Sequence, residues 1–149
     1  YYGRLGVSLY SQGKYKEAEA EYRKAISLDA YSADFFYNLG LALYRREKYA
    51  DAEGAFRKGI KLNPNDAACH VSLGLTLAFG QKLVEAELEF REGVRLAPDN
   101  AVYHNNLGNV LLKQKKYIQA EEAYRTAINL DPANSAYQAN LNAVRSLRH

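Results

Sequence analysis

Leucine and small or aromatic residues recur along the chain at one fixed interval. Leu5, Leu39, Leu73 and Leu107 lie 34 residues apart, and so do Gly6, Gly40, Gly74 and Gly108. Ala18, Ala52, Ala86 and Ala120 keep that interval, as do the aromatics Tyr22, Phe56, Phe90 and Tyr124. Polar positions follow the same beat. Glu19, Glu53, Glu87 and Glu121 are each followed four residues later by Arg23, Arg57, Arg91 and Arg125, and Pro64, Pro98 and Pro132 are again 34 apart. So many coincident series define four copies of one unit plus a tail.

Each unit reads as two helices. Ser32, Asp66, Asn100 and Asn134 stand where an N-cap is needed. Their side-chain oxygens can accept from the open amides of the next turn, worth roughly 0.5–2 kcal/mol each. A first helix follows, then a polar break such as Gln12-Gly13-Lys14 or Lys113-Gln114-Lys115. A second helix runs to Leu28, Leu62, Leu96 and Leu130, and Pro64, Pro98 and Pro132 come just after, where helices stop readily. The Glu-to-Arg pairs lie on the second helix in the favourable orientation and are expected to be solvated helix support, at roughly 0.2–0.5 kcal/mol each. Helices of about 14 residues are marginal alone and persist by stacking on neighbours. The recurrent first-helix Gly is expected to let the paired helices approach closely, opposite the recurrent Ala of the second helix.

This unit resembles the tetratricopeptide repeat, a helix-turn-helix of the same length. The resemblance rests on Phe36, Leu39-Gly40, Ala52, Phe56 and Pro64 in the second unit, and on Leu107-Gly108, Ala120, Tyr124, Ala127 and Pro132 in the fourth. Departures are His70 and His104 at the first aromatic position, Gly59 and Gly93 for the last Ala, Ala30 for the first Pro, and Leu9, Leu43, Leu77 and Leu111 for the usual first-helix Tyr. All of these keep packing character. The resemblance implies an all-α superhelical solenoid of antiparallel helix pairs. Its divisions are a single domain over 1–149, with repeats at 1–32, 33–66, 67–100 and 101–134 and a capping helix at 135–149. The first helix lacks its opening positions and is expected to be frayed or to continue from missing sequence. In the cap, Leu141 and Val144 can cover the fourth unit, while Gln138, Asn142 and Arg145 give the polar outer face that a terminal element needs.

The resemblance also implies that the first helices line a concave trough for a protein or peptide. At 100° per residue, the face opposite the intra-unit core carries Tyr10 in the first unit and Tyr37, Asn38, Leu41, Tyr44 and Arg45 in the second. Ser72, Leu75 and Phe79 follow in the third, Asn105, Asn106, Asn109 and Lys113 in the fourth, and Asn140 in the cap. A plain surface helix would be charged there; this face is apolar, aromatic and Asn-rich, and contiguous apolar surface marks an interaction site. Packing between neighbouring first helices is expected to consume part of Leu41, Val71, Leu75 and Leu112. Asn38, Asn106 and Asn140 share one position, with Ser72 between them. An amide with one acceptor and two donors can grip both sides of a peptide bond, so the row is similar to the asparagine ladder of peptide-binding tetratricopeptide domains. Tyr37, Tyr44 and Phe79 would then offer side-chain pockets. The carboxylate clamp that binds acidic C-termini of Hsp70 and Hsp90 needs cations that are missing: its positions fall on Gly3, Val7, Asn38, Ala68 and Ser72, or on Tyr37, Leu41, Ser72, Val102 and Asn106. That partner is not expected.

Composition narrows the function further. The chain has 149 residues, 48% hydrophobic and 25% charged, enough apolar content for a core. A net charge of +3 from 20 basic and 17 acidic side chains is too balanced to suggest nucleic acid. Lys113, Lys115 and Lys116 read as a solvated turn. No apolar run approaches membrane-spanning length. No signal-peptide pattern is present, which gives a cytoplasmic expectation. With no Met, the chain is expected to be an internal fragment or a product trimmed at Tyr1. A single cysteine, Cys69, allows no internal disulfide and no cysteine-based zinc site. His70 and His104 occupy equivalent packing positions and read as core histidines. No nucleophile motif, phosphate loop or metal motif occurs, so no catalytic residue, metal or cofactor is expected. The expected role is a non-enzymatic scaffold that docks a peptide or protein segment. The alternatives are a self-association module, with the trough or first helix receiving another copy, or the substrate-guiding arm of a larger enzyme.

Overall fold

The computed structural model describes residues 1–148; His149, the last position of the expected capping segment, lies outside them. Among the described residues there are nine helices and no strand. They are α1 (Tyr2–Ser11), α2 (Tyr15–Leu28), α3 (Ala33–Arg45), α4 (Tyr49–Leu62), α5 (Ala67–Phe79), α6 (Leu83–Leu96), α7 (Ala101–Lys113), α8 (Tyr117–Leu130) and α9 (Ser135–Ser146). Each odd helix packs on the even helix that follows, and each even helix packs on the next odd one. Among the described residues, the substantial helix–helix contacts lie within a repeat or between adjacent repeats, which is the nearest-neighbour logic of a solenoid. The second helices end at the four leucines expected from sequence.

The helix starts are capped as expected at three of four sites. Asp66 accepts from the Cys69 amide, Asn100 from Val102 and Tyr103, and Asn134 from Ala136. Ser32 makes no such bond. There Ala30 replaces Pro, and the preceding turn is closed by Asp29 Oδ1 accepting from the Tyr31 amide at 3.0 Å. The four intra-repeat turns share one left-handed residue each: Gly13, Glu47, Gln81 and Lys115, with φ between 60° and 76°.

The first-helix glycines face a different partner from the one expected. A Cβ at Gly6, Gly40, Gly74 or Gly108 would meet the rings of Tyr22, Phe56, Phe90 and Tyr124, at 2.5 Å in the case of Gly40 and Phe56. The small residue admits a large ring, not another small residue. Those rings are fully buried and form the spine of the core, with the recurrent alanines beside them. Overpacking at such a contact costs about 1–3 kcal/mol.

The Glu-to-Arg pairs are also more than solvated support. Glu19, Glu87 and Glu121 are buried, and each reaches into the next repeat. Glu19 takes Arg23 on its own helix and Arg46 and Lys48 from the following turn. Glu53 pairs with Arg57 and with Lys82. Glu87 pairs with Arg91 and accepts from Lys116 Nζ at 2.7 Å and Gln114 Nε2 at 2.8 Å. Glu121 pairs with Arg125 on its own helix, with Arg145 on α9 and with Arg148 just beyond it. The sequence series showed only the local half of this junction. Its other half, Lys48, Lys82 and Lys116, keeps the same interval and was the available signal. Lys116 is therefore an inter-repeat partner and not part of a solvated basic turn.

Candidate functional site

Three successive hollows open along the face formed by the first helices. The first, about 500 Å³, lies between α1 and α3 and is lined by Tyr1, Gly3, Arg4, Val7, Ser8, Asp34, Phe35 and Asn38. The second, about 290 Å³, gathers Tyr10, Leu41, Tyr44, Arg45, Ser72 and Leu75 over a floor of Phe56. The third, about 260 Å³, gathers Leu75, Ala78, Phe79, Asn106, Asn109 and Lys113 over Phe90. Leu75 borders both of the last two, so they adjoin. Helical spacing explains the arrangement: residues three, four and seven apart share a face, and a 34-residue repeat returns that face to the same side.

The central hollow has aromatic walls. Tyr44 meets Phe79 edge-on at 5.8 Å between ring centroids, and Phe79 stacks on Tyr49 at 5.1 Å. Tyr10 meets Tyr15 edge-on at 5.1 Å. Arg45 Nε donates to the Tyr10 hydroxyl at 3.1 Å, and its guanidinium lies 6.0 Å from the Tyr15 ring. This orders a cation at the rim without neutralising it. Burial pushes the Tyr44 phenol above its ordinary range. Tyr15 and Tyr49 open the second helices and were missed in the sequence reading. Tyr15, Tyr49 and Tyr117 recur at the repeat interval, with Leu83 between, and that series could have found them.

Not every expected site residue faces this surface freely. Tyr37 lines none of the three hollows and packs on the core, with its ring 6.1 Å from Phe56. Burial raises its phenol, which lies beside Ser72. Asn140 Nδ2 donates to Asn105 Oδ1 at 2.8 Å, so these two amides hold the cap to the fourth repeat. Asn109 Oδ1 accepts from the buried Tyr124 hydroxyl at 2.8 Å. Asn38 and Asn106 are half-buried in the first and third hollows, and among the described residues neither amide makes a hydrogen bond within the chain.

The histidines stand apart from this face. His70 is buried, with Nδ1 2.7 Å from Glu89 and Nε2 3.0 Å from the Pro64 carbonyl. His104 is half-buried and bonds the Pro98 carbonyl at 2.8 Å. Both tether the start of a first helix to the turn before it. Cys69 is buried, and burial drives its thiol up to about 12. Among the described residues, no three His, Cys, Asp or Glu side chains converge as a metal site would require, and no helix is long and apolar enough to cross a membrane.

The family pattern described as the tetratricopeptide repeat matches residues 33–66 and 101–134, and a related TPR repeat pattern matches 6–46. The chain belongs to the tetratricopeptide repeat family. These repeats build helical scaffolds for protein–protein interaction and are generally non-catalytic. No curated protein matches the chain. Among solved structures it is similar to MamA residues 41 to the end from Desulfovibrio magneticus RS-1, at 22% identity and a TM-score of 0.93, over 99% of this chain and 83% of that one. It is similar to PilF of Pseudomonas aeruginosa at 23% identity and 0.89, over 99% and 67%. It is also similar to a chain in the APC/C hetero-tetramer Cut9–Hcn1 at 19% identity and 0.88, over 96% and 29%. At these identities the likeness establishes the solenoid fold.

Proposed function

We propose that the chain holds an extended peptide segment of a partner protein along the first-helix face. The observation that carries this reading is the pair of adjoining hollows that meet at Leu75, one through Tyr10, Leu41, Tyr44 and Ser72 and the other through Phe79 and Asn106, with the amides of Asn38 and Asn106 unengaged. Each amide can accept from a peptide N–H and donate to a peptide C=O. They stand two repeats apart, with the shorter Ser72 between them, so they anchor the backbone at two points. The aromatic walls take an apolar side chain between the anchors. Arg45 and Lys113 on the rim favour a segment with acidic residues near that side chain. The helices are held by the core and the Glu junctions, so the face is preorganised and little ordering cost falls on the protein. Asn140, engaged with Asn105, takes no part in this reading.

The test is selection of peptides from a displayed random 12-residue library on the immobilised chain, followed by titration of a selected peptide. Asn38→Ala combined with Asn106→Ala should weaken it at least about tenfold, from two lost hydrogen-bonding groups, with little change in thermal midpoint. Undiminished affinity in the double variant removes the two amides from the account.

A further inference from the structure

The second and third hollows are one structure built twice. Leu41, Phe56 and Ser72 in the second hollow stand 34 residues before Leu75, Phe90 and Asn106 in the third. The two hollows are therefore offset by one repeat, from the α3–α5 pair to the α5–α7 pair, and those first helices are neighbours. Packed helices lie about 8–10 Å apart. That step selects a backbone. A β-strand returns a side chain to the same face every second residue, at about 6.7 Å, or every fourth, at about 13 Å, and matches neither way. A polyproline II helix returns one every third residue, at about 9 Å, and matches.

The two copies differ in what they offer. In the second hollow Tyr10 and Tyr44 wall an apolar floor, and Arg45 is held on the Tyr10 hydroxyl and beside the Tyr15 ring. One repeat on, Phe79 takes the place of Arg45 and packs on Tyr44 and Tyr49. One repeat further, Lys113 takes that place, but Ala78 and Leu83 stand where the two rings were. Lys113 is exposed at the edge of the third hollow and makes no ion pair among the described residues. Beside it, Asn109 accepts from the Tyr124 hydroxyl at Oδ1, which leaves its amide N–H groups to donate. The second hollow is thus walled by rings, and the third is edged by donors suited to a carboxylate.

We infer that the trough reads a polyproline II segment of a partner protein in which an apolar side chain, best an aromatic one, and an aspartate or glutamate stand three residues apart. The apolar group enters the second hollow, and the carboxylate meets Lys113 and Asn109 at the third. This rests on the peptide-holding reading above and adds to it a backbone conformation and a spacing. The two residues between the anchors turn away from the face, so proline fits there and preorganises the segment.

The probes are labelled 12-residue peptides with both termini blocked, followed by fluorescence anisotropy. They share one composition and place a phenylalanine and a glutamate two, three or four residues apart, in both orders. Spacing three, in at least one order, should bind at least about tenfold tighter than two or four, because only it makes the charged hydrogen bonds at Lys113. Proline at both intervening positions should hold or raise that affinity. Lys113→Glu should weaken the spacing-three peptide about tenfold, and lysine in place of its glutamate should recover most of the loss. Equal binding at all three spacings overturns the inference, and so does loss of binding when the prolines enter or indifference to Lys113→Glu. Binding by none of the probes overturns it as well. In each of these cases a library-selected peptide that is weakened by Asn38→Ala with Asn106→Ala leaves the peptide-holding reading standing, whereas one indifferent to that pair removes the two amides too.

Discussion

The ammonium of Lys116, just before α8, donates to the Glu87 carboxylate on α6 at 2.7 Å and so ties one repeat to the next. Glu19 and Glu53 make the corresponding junctions to the following repeat, and Glu121 makes one to the capping helix α9. Glu87 is nearly enclosed, while Lys116 and Arg91 stay partly in water. Removing the carboxylate therefore frees two solvated cations, whereas removing a cation leaves a buried anion short of a partner. Glu87→Gln should cost about 1–3 kcal/mol. Lys116→Met should cost at least as much, although Lys116 is the more exposed residue. Urea titrations of both variants check the order.

These junctions set an acid limit. Burial raises each carboxyl, and the hydrogen bonds and charges of the facing cations outweigh it, so Glu19, Glu53 and Glu87 lie below the ordinary value of 4.5. Hydrogen bonds from Arg125, Arg145 and Arg148 bring Glu121 down to about 2. A carboxyl depressed in the fold contributes stability that is complete above its unfolded pKa and is lost as pH falls through its folded pKa. Thermal midpoints should be level from pH 7 to about 5 and fall steeply between pH 4.5 and 2. The Glu121→Gln variant should start lower at pH 7 and lose less over that acid interval. A midpoint that is flat down to pH 2.5 contradicts the junctions.

Two helical glycines should respond oppositely to the same substitution. Gly40→Ala drives a Cβ to 2.5 Å from the buried Phe56 ring, and the overpacking of about 1–3 kcal/mol exceeds the helix-propensity gain of about 1 kcal/mol. At Gly54 an added Cβ meets nothing within 4 Å, so Gly54→Ala should stabilise by about 0.5–1 kcal/mol. Phe56→Leu should relieve much of the Gly40→Ala penalty in a double-mutant cycle. Differential scanning calorimetry of the single and double variants measures all three.

Cys69 should behave as a buried hydrophobe. Its thiol is enclosed and raised to about 12 by burial, so the thiolate is scarce at neutral pH. An aromatic disulfide reagent at pH 8 should label it only on the unfolding timescale, and in 6 M guanidinium within seconds. Rapid labelling of the native chain would contradict the packing at the α4–α5 seam.

The fold was legible because a solenoid writes each contact several times. Gly40 and Phe56 mark one contact, and three further pairs at the same interval repeat it. The ends of the second helices could be read directly from Leu62 and Pro64 and their counterparts. Partnership across repeats was harder to read. The Glu87–Arg91 spacing is visible along one helix, but the reach of Glu87 to Lys116 depends on how two hairpins stack, which no single helix period encodes. The same limit governed the first-helix face. Periodicity put Tyr37 and Asn105 there with the rest, yet rotation within the face turns Tyr37 onto Phe56, and the Asn140 amide engages Asn105. Tyr15 and Tyr49, whose rings back Tyr10, Tyr44 and Phe79, were overlooked because they come from second helices.

The most direct measurement is backbone NMR of the chain titrated with a library-selected peptide. The expected shifts fall on Tyr10, Asn38, Leu41, Tyr44, Ser72, Leu75, Phe79 and Asn106, in a strip across α1, α3, α5 and α7, with the second helices largely unmoved. Shifts concentrated on the exposed sides of α2, α4, α6 and α8, with that strip silent, would contradict a peptide-holding trough.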